Sequence, residues 1–157
     1  MEAGNAGFSE AVKAGAIDLV ATKYGDTGKE VQSKLVEDVL EAYPDLDYIA
    51  GTAVTAEAAV SILRARGLEG KVKILSYYFT PGVDRGIRRK QILAAPTDSP
   101  VIQGRIAIDQ AIRILEKKPY QKHVGPALYV VSQENVSSFD DSSTLAPEGF
   151  KPTFEVK

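Results

Sequence analysis

The chain has 157 residues, a formal net charge of −2 and no cysteine. That length suits one domain with a real core, and the mild acidity gives no reason to expect nucleic acid or an anionic membrane surface as a partner. Without cysteine there are no disulfides, thiolate nucleophiles or iron–sulfur clusters, and most structural zinc sites are removed as well.

No apolar run approaches the length that spans a bilayer, so no direct membrane insertion is expected. Residues Met1 to Asn5 lack a basic region followed by an apolar stretch, so no secretory leader is legible; a piece of a secreted parent would read the same way. The single histidine, His123, stands in the polar loop KKPYQKH and reads as a solvated side chain.

In chain order, a short helix is predicted from Phe8 to Gly15, preceded by loop. Ile17 to Thr22 (IDLVAT) reads as a strand. Gly28 to Tyr43 follows as a helix with Val31, Leu35, Val36, Val39 and Leu40 on one face, stopped by Pro44. Tyr48 to Gly51 is a short buried strand. Thr52 to Arg66 is a second long helix closed by Gly67. Val72 to Tyr78 is the next strand, then a short helix from Pro81 to Lys90 and a strand from Ile92 to Ala95.

Ser99 and Pro100 open a helix running to about Lys117, with serine as cap and proline in the first turn. Its apolar positions are Ile102, Ile106, Ile108, Ile112 and Leu115. Ala127 to Val131 is a last strand, and Thr153 to Val156 could add an edge strand. The alternation predicts a three-layer α/β, doubly wound domain with a mainly parallel sheet.

Two features mark the chain as one part of a larger whole. A doubly wound sheet begins with a strand, yet this chain opens on loop and helix. The opening helix is also too short for a comfortable crossover, which takes a dozen residues or more. A missing strand would leave an unpaired sheet edge.

Enzyme signatures fail. The run Gly7 to Ala11 (GFSEA) resembles a nucleophile elbow without its last glycine, and no histidine base accompanies it. Gly4 to Gly7 (GNAG) is not a dinucleotide fingerprint, and no glycine-rich phosphate loop exists. Asp45 with Asp47, and Asp140 with Asp141, read as solvated turns. Gly51 to Ala53 at a helix start could hold an anion, but tight strand-to-helix packing explains these small residues equally well. No cofactor and no metal site is expected.

In open α/β sheets, ligands bind beyond the carboxyl ends of the strands. The loops there are Asn5 to Phe8, Thr52 to Thr55, Tyr77 to Thr80, and Thr97 to Ser99. They offer aromatic faces at Phe8, Tyr77, Tyr78 and Phe79, a carboxylate at Asp98, and small hydroxyls. Aromatic faces with one acid suit a compact cationic or strongly dipolar ligand. Strand alternation assigns some of these rings to packing, Tyr77 and Phe79 first among them.

The runs Tyr48 to Ala59 (YIAGTAVTAEAA), Ile74 to Phe79 (ILSYYF), Ala94 to Gly104 (AAPTDSPVIQG), Ala107 to Ile112 (AIDQAI) and Leu145 to Pro152 (LAPEGFKP) closely resemble the TorT family of periplasmic binding proteins. The similarity covers nearly the whole chain but only the carboxy-terminal half of the family's two-lobed architecture. It implies a type I periplasmic binding fold located in the periplasm, with a cleft holding trimethylamine N-oxide in an aromatic cage and a membrane sensor histidine kinase as partner.

Carried over by position, the resemblance makes Tyr78, Phe8 and Asp98 ligand-binding residues of this half, and the edge loops add Asn5 as a polar candidate. It also implies that residues 99–117 pack on the absent amino-terminal lobe. Three rivals stay open: a sugar, amino-acid or autoinducer binder of the same fold, the effector lobe of a transcription regulator, and an α/β enzyme whose cofactor half is missing, which the lack of a phosphate motif or reactive base counts against.

Overall fold

A computed structural model describes residues 2–15 and 17–153. Helix α1 covers Glu2–Lys13. An irregular segment leads to α2 (Lys29–Ala42), followed by β1 (Tyr48–Gly51), α3 (Ala53–Ala65), β2 (Lys73–Ser76), α4 (Pro81–Arg88), β3 (Ala94–Thr97), α5 (Pro100–Leu115), β4 (Tyr129–Ser132) and a single 3₁₀ turn at Asp141–Ser143. The four strands form one sheet in the order β1-β2-β3-β4. The first three are parallel and β4 runs antiparallel beside β3. The fold is α/β with a mostly parallel sheet, as the sequence pattern predicts.

Strands adjacent in both sequence and space, joined by right-handed crossovers, place their helices on one face. Helix α3 accordingly packs against α2, α4, β1 and β2. Ile49 pairs with Ile74, and Ala95 with Val131, and all four side chains turn into the core beneath Val36, Leu40, Ala56, Ala59, Leu63, Val83 and Ile87. The opposite face carries Tyr48, Lys73, Pro96 and Val130, all exposed. There the Lys73 ammonium lies 5.4 Å from the centre of its cross-strand partner, Tyr48.

Local chemistry explains the element ends. Thr52 and Thr80 cap α3 and α4 by accepting from the amides of Thr55 and Val83. Gly67 takes φ +66° after α3, and Leu68 donates back to Leu63, the six-to-one bond of a glycine-terminated helix.

Several expectations are corrected. Ile17 to Thr22 is not a strand: the segment joins no ladder, and Ile17, Leu19 and Val20 are exposed. An alternating segment forms a strand only where a neighbour supplies the other half of each hydrogen bond. The opening helix is longer than expected, and Asn5 to Phe8 lie inside it rather than in a loop.

Ser99 stands at the start of α5, but its side chain caps nothing. Its backbone is left-handed, φ 51°, which turns the hydroxyl away from the first turn. The third strand begins two residues later than expected, and Val31 on α2 is exposed. Helix α5 buries none of its residues, and its Ile108, Ile112 and Leu115 face outward, which leaves open the expected packing of residues 99–117 on another lobe. Of the suggested strand from Thr153 to Val156, Thr153 is irregular and the rest lies outside the described residues.

Candidate functional site

Because β1, β2 and β3 run in the same direction, their carboxyl ends open on one edge of the sheet. That edge gathers the Thr52 loop, the Tyr77 to Thr80 loop and the Asp98 to Ser99 turn, on strands spaced by about 5 Å.

The loop after β2 sorts its three aromatic residues by alternation. The Tyr77 amide donates to the Gly51 carbonyl at 2.7 Å, extending the β1–β2 ladder by one step. The Tyr77 side chain is half-buried; burial raises its phenol above the usual range, and the nearby Tyr24 hydroxyl adds to the shift. Phe79 enters the core and meets Phe139 edge-on at 5.8 Å, and Tyr129 lies beyond at 6.4 Å from Phe139.

Tyr78, between them, is 50% exposed. Its backbone is held all the same: the Ser76 hydroxyl donates to the Tyr78 carbonyl at 2.7 Å and accepts from the Tyr78 amide at 3.3 Å. The ring is therefore displayed from a fixed base.

Asp98 is exposed one strand away. Its carbonyl accepts from the Gln103 side chain at 2.9 Å, leaving the carboxylate outside that bond. Thus Tyr78 and Asp98 are brought to the same edge. Phe8, half-buried in α1, is not carried there by any strand. Asn5 lies in α1 as well, and its side chain falls outside what is described.

The suggested anion position at Gly51 to Ala53 is occupied by the protein itself. Thr52 accepts from the Thr55 amide at 3.3 Å, and the two hydroxyls are 2.9 Å apart. His123 is exposed in its loop. The Asp140 carboxylate caps the 3₁₀ turn, and its bonds to Ser142 hold its pKa below the usual range.

Two residues at this edge escaped the sequence reading. Tyr24 is 63% exposed in the loop after Thr22. What places it here is its nearness to the Tyr77 phenol, which no local sequence signal announces. Glu57, on the first turns of α3, accepts from the Thr80 hydroxyl at 3.3 Å. A Cβ on Gly82 would meet the Glu57 carboxylate, so glycine there leaves room for Glu57 to reach Thr80.

No protein-family model matches the sequence. Periplasmic protein TorT of Escherichia coli (strain K12) is 33% identical over 94% of this chain, which spans 43% of that protein. TorT solved with the TorS sensor domain in the presence of trimethylamine N-oxide superposes with a TM-score of 0.86 at 36% identity, over 95% of this chain and 50% of that one. An ABC transporter solute-binding protein from Bradyrhizobium sp. BTAi1, solved with bound bis-tris, is 60% identical with a TM-score of 0.88, over 98% of this chain and 46% of that one. More distantly, a D-ribose/D-allose-binding protein of Pseudomonas aeruginosa is 28% identical over 70% of this chain and 35% of its own length. The chain is similar to TorT over nearly its whole length and has the lobe fold of periplasmic binding proteins, and it spans between 35% and 50% of the length of these relatives.

Proposed function

We propose that this chain is the carboxy-terminal lobe of a periplasmic binding protein that captures a compact methylated amine, trimethylamine N-oxide or a close analogue, and reports it to a membrane sensor histidine kinase. The observation that carries the reading is Tyr78: a ring half in solvent, on a backbone pinned by Ser76, at the ligand edge of a parallel sheet and one strand from the Asp98 carboxylate. An aromatic face beside an acid attracts a small cation or a dipole whose positive end is methylated. The bis-tris found with the 60% identical protein is itself a tertiary amine.

The periplasmic location and the kinase partner are taken from TorT, which is named as a periplasmic protein and was solved with the TorS sensor domain. In this proposal the ligand bridges two lobes, stabilises the closed form through its higher affinity for it, and the closed surface is what the kinase reads. The amino-terminal lobe covers the outward Ile108, Ile112 and Leu115 of α5. A strand ahead of α1 brings Asn5 and Phe8 to the same edge as Tyr78.

The second reading keeps the fold and changes the ligand to a sugar, and the ribose/allose-binding relative favours it. Calorimetric titration of the full-length protein separates the two. Binding of trimethylamine N-oxide, or of trimethylamine or glycine betaine in its place, with no heat from D-ribose, is the expected result. Heat from D-ribose alone overturns the amine reading and leaves a sugar binder.

A further inference from the structure

Asp98 stands on a turn whose geometry is set from the far end of the chain. Ser99, next to it, is buried to 1% exposure and left-handed, a conformation that non-glycine residues hold only when their surroundings impose it. What imposes it is visible. The Ser99 amide donates to the Thr97 hydroxyl at 3.2 Å, and that hydroxyl shares a 3.0 Å hydrogen bond with the hydroxyl of Thr144, 47 residues away in sequence. Thr97 and Thr144 are both buried, at 2% and 5% exposure.

Thr144 is held in turn by the 3₁₀ turn, its amide donating to Asp141 at 2.8 Å and the Leu145 amide donating to the same carbonyl at 2.7 Å. Helix α5 adds little hold of its own, since none of its residues is buried and the 3₁₀ turn is its main neighbour. The orientation of the Asp98–Ser99 turn, and of the helix leaving it, therefore depends on the threonine pair.

We propose that Thr144 is a positioning residue which, through the Thr97 hydroxyl, locks the left-handed Ser99 turn and so fixes Asp98 and the departure of α5. That Asp98 faces ligand rests on the function proposed above; the lock itself does not.

The test compares Thr144→Val, which keeps shape and loses the hydroxyl, with Thr144→Ser, which keeps the hydroxyl, in the full-length protein. Amide hydrogen exchange without ligand is read at Ser99 and at Gln103, whose amide donates to the Ser99 carbonyl. In Thr144→Val both amides should exchange about tenfold faster, the scale of one lost buried hydrogen bond, while the β1–β2 ladder keeps its protection. Thr144→Ser should restore the wild-type rates. Equal rates in the two variants, or acceleration spread evenly over the sheet, would overturn the lock.

Calorimetry with trimethylamine N-oxide and D-ribose then addresses the ligand role. If wild type binds either one and Thr144→Val weakens it while Thr144→Ser does not, the lock serves the site. If Thr144→Val binds as wild type does, Asp98 needs no such positioning. Absence of binding by wild type defeats the functional reading, and the exchange result alone then decides for or against the lock.

Discussion

The Thr55 hydroxyl donates to the side-chain carbonyl of Gln32 across 2.7 Å, joining the first turn of α3 to the buried face of α2. The same Gln32 amide donates from its nitrogen to the Asp26 carbonyl at 2.6 Å. One buried side chain thus ties two helices to the loop that carries Tyr24. A Cβ on Gly25 would lie 2.9 Å from the Leu35 and Val31 methyls, so this loop is also laid closely on α2.

Gln32→Leu keeps the volume and removes both bonds. It should destabilise the fold by about 1–3 kcal/mol, because the Thr55 hydroxyl and the Asp26 carbonyl lose their partner in a half-buried place. Urea denaturation checks the magnitude. Limited proteolysis should show cleavage within residues 23–28 ahead of global unfolding.

Tyr78→Ala should weaken binding of trimethylamine N-oxide to the full-length protein by about 30-fold, the equivalent of about 2 kcal/mol for a desolvated contact between a cation and an aromatic face. The ring is half-exposed and carries no core contact, so the melting temperature should move by less than about 3 °C. An affinity within twofold of wild type removes Tyr78 from the site.

Phe79→Ala is the counterpart next door. Phe79 is buried and meets Phe139 edge-on, so its loss should cost about 3–5 kcal/mol by denaturant titration. Two adjacent aromatic residues would then divide cleanly, one between binding and the other between folding and unfolding.

The Tyr77 phenol is raised by burial first and by Tyr24 second. A group whose folded pKa exceeds its unfolded value contributes stability that is complete below the unfolded value, near 10, and is lost as pH rises through the folded one. Melting temperature should therefore fall more steeply above about pH 10 in wild type than in Tyr77→Phe. A spectrophotometric tyrosinate titration should show one phenol ionising late, and Tyr77→Phe should remove it.

Much of this was legible in the sequence, for reasons that differ by element. Tyr48 to Gly51 reads correctly because a short apolar run stands between turn residues and a threonine cap. The end of α3 reads correctly because Gly67 is needed at positive φ. The register of β3 did not read. Ile92 tucks under Gly86, where a Cβ would meet its terminal methyl at 2.5 Å, and this holds Ile92 in the turn while the strand starts at Ala94. Pro96 then lacks the amide for a further rung toward β2, and Leu75 with Ala94 is the pair that joins β2 to β3.

Of the candidate site residues, the positions of Tyr78 and Asp98 at the carboxyl edge of the sheet were legible from strand ends alone. Phe8 was placed by assuming a preceding strand, and without that strand its surroundings became helix. Thr144 left no local signal, because its partner is fixed only by the way the tail folds back.

The sheet order described above has a consequence for how the molecule comes apart. From β1 through α3, β2 and α4 to β3, every strand pairs with the next strand along the chain. The stretch 48–97 therefore carries the pairing of its three parallel strands within itself, while Val36 and Leu40 of α2 and Val131 of β4 complete its core from either side. Loss of either flank would open that core, so the sheet and its flanks should come apart together.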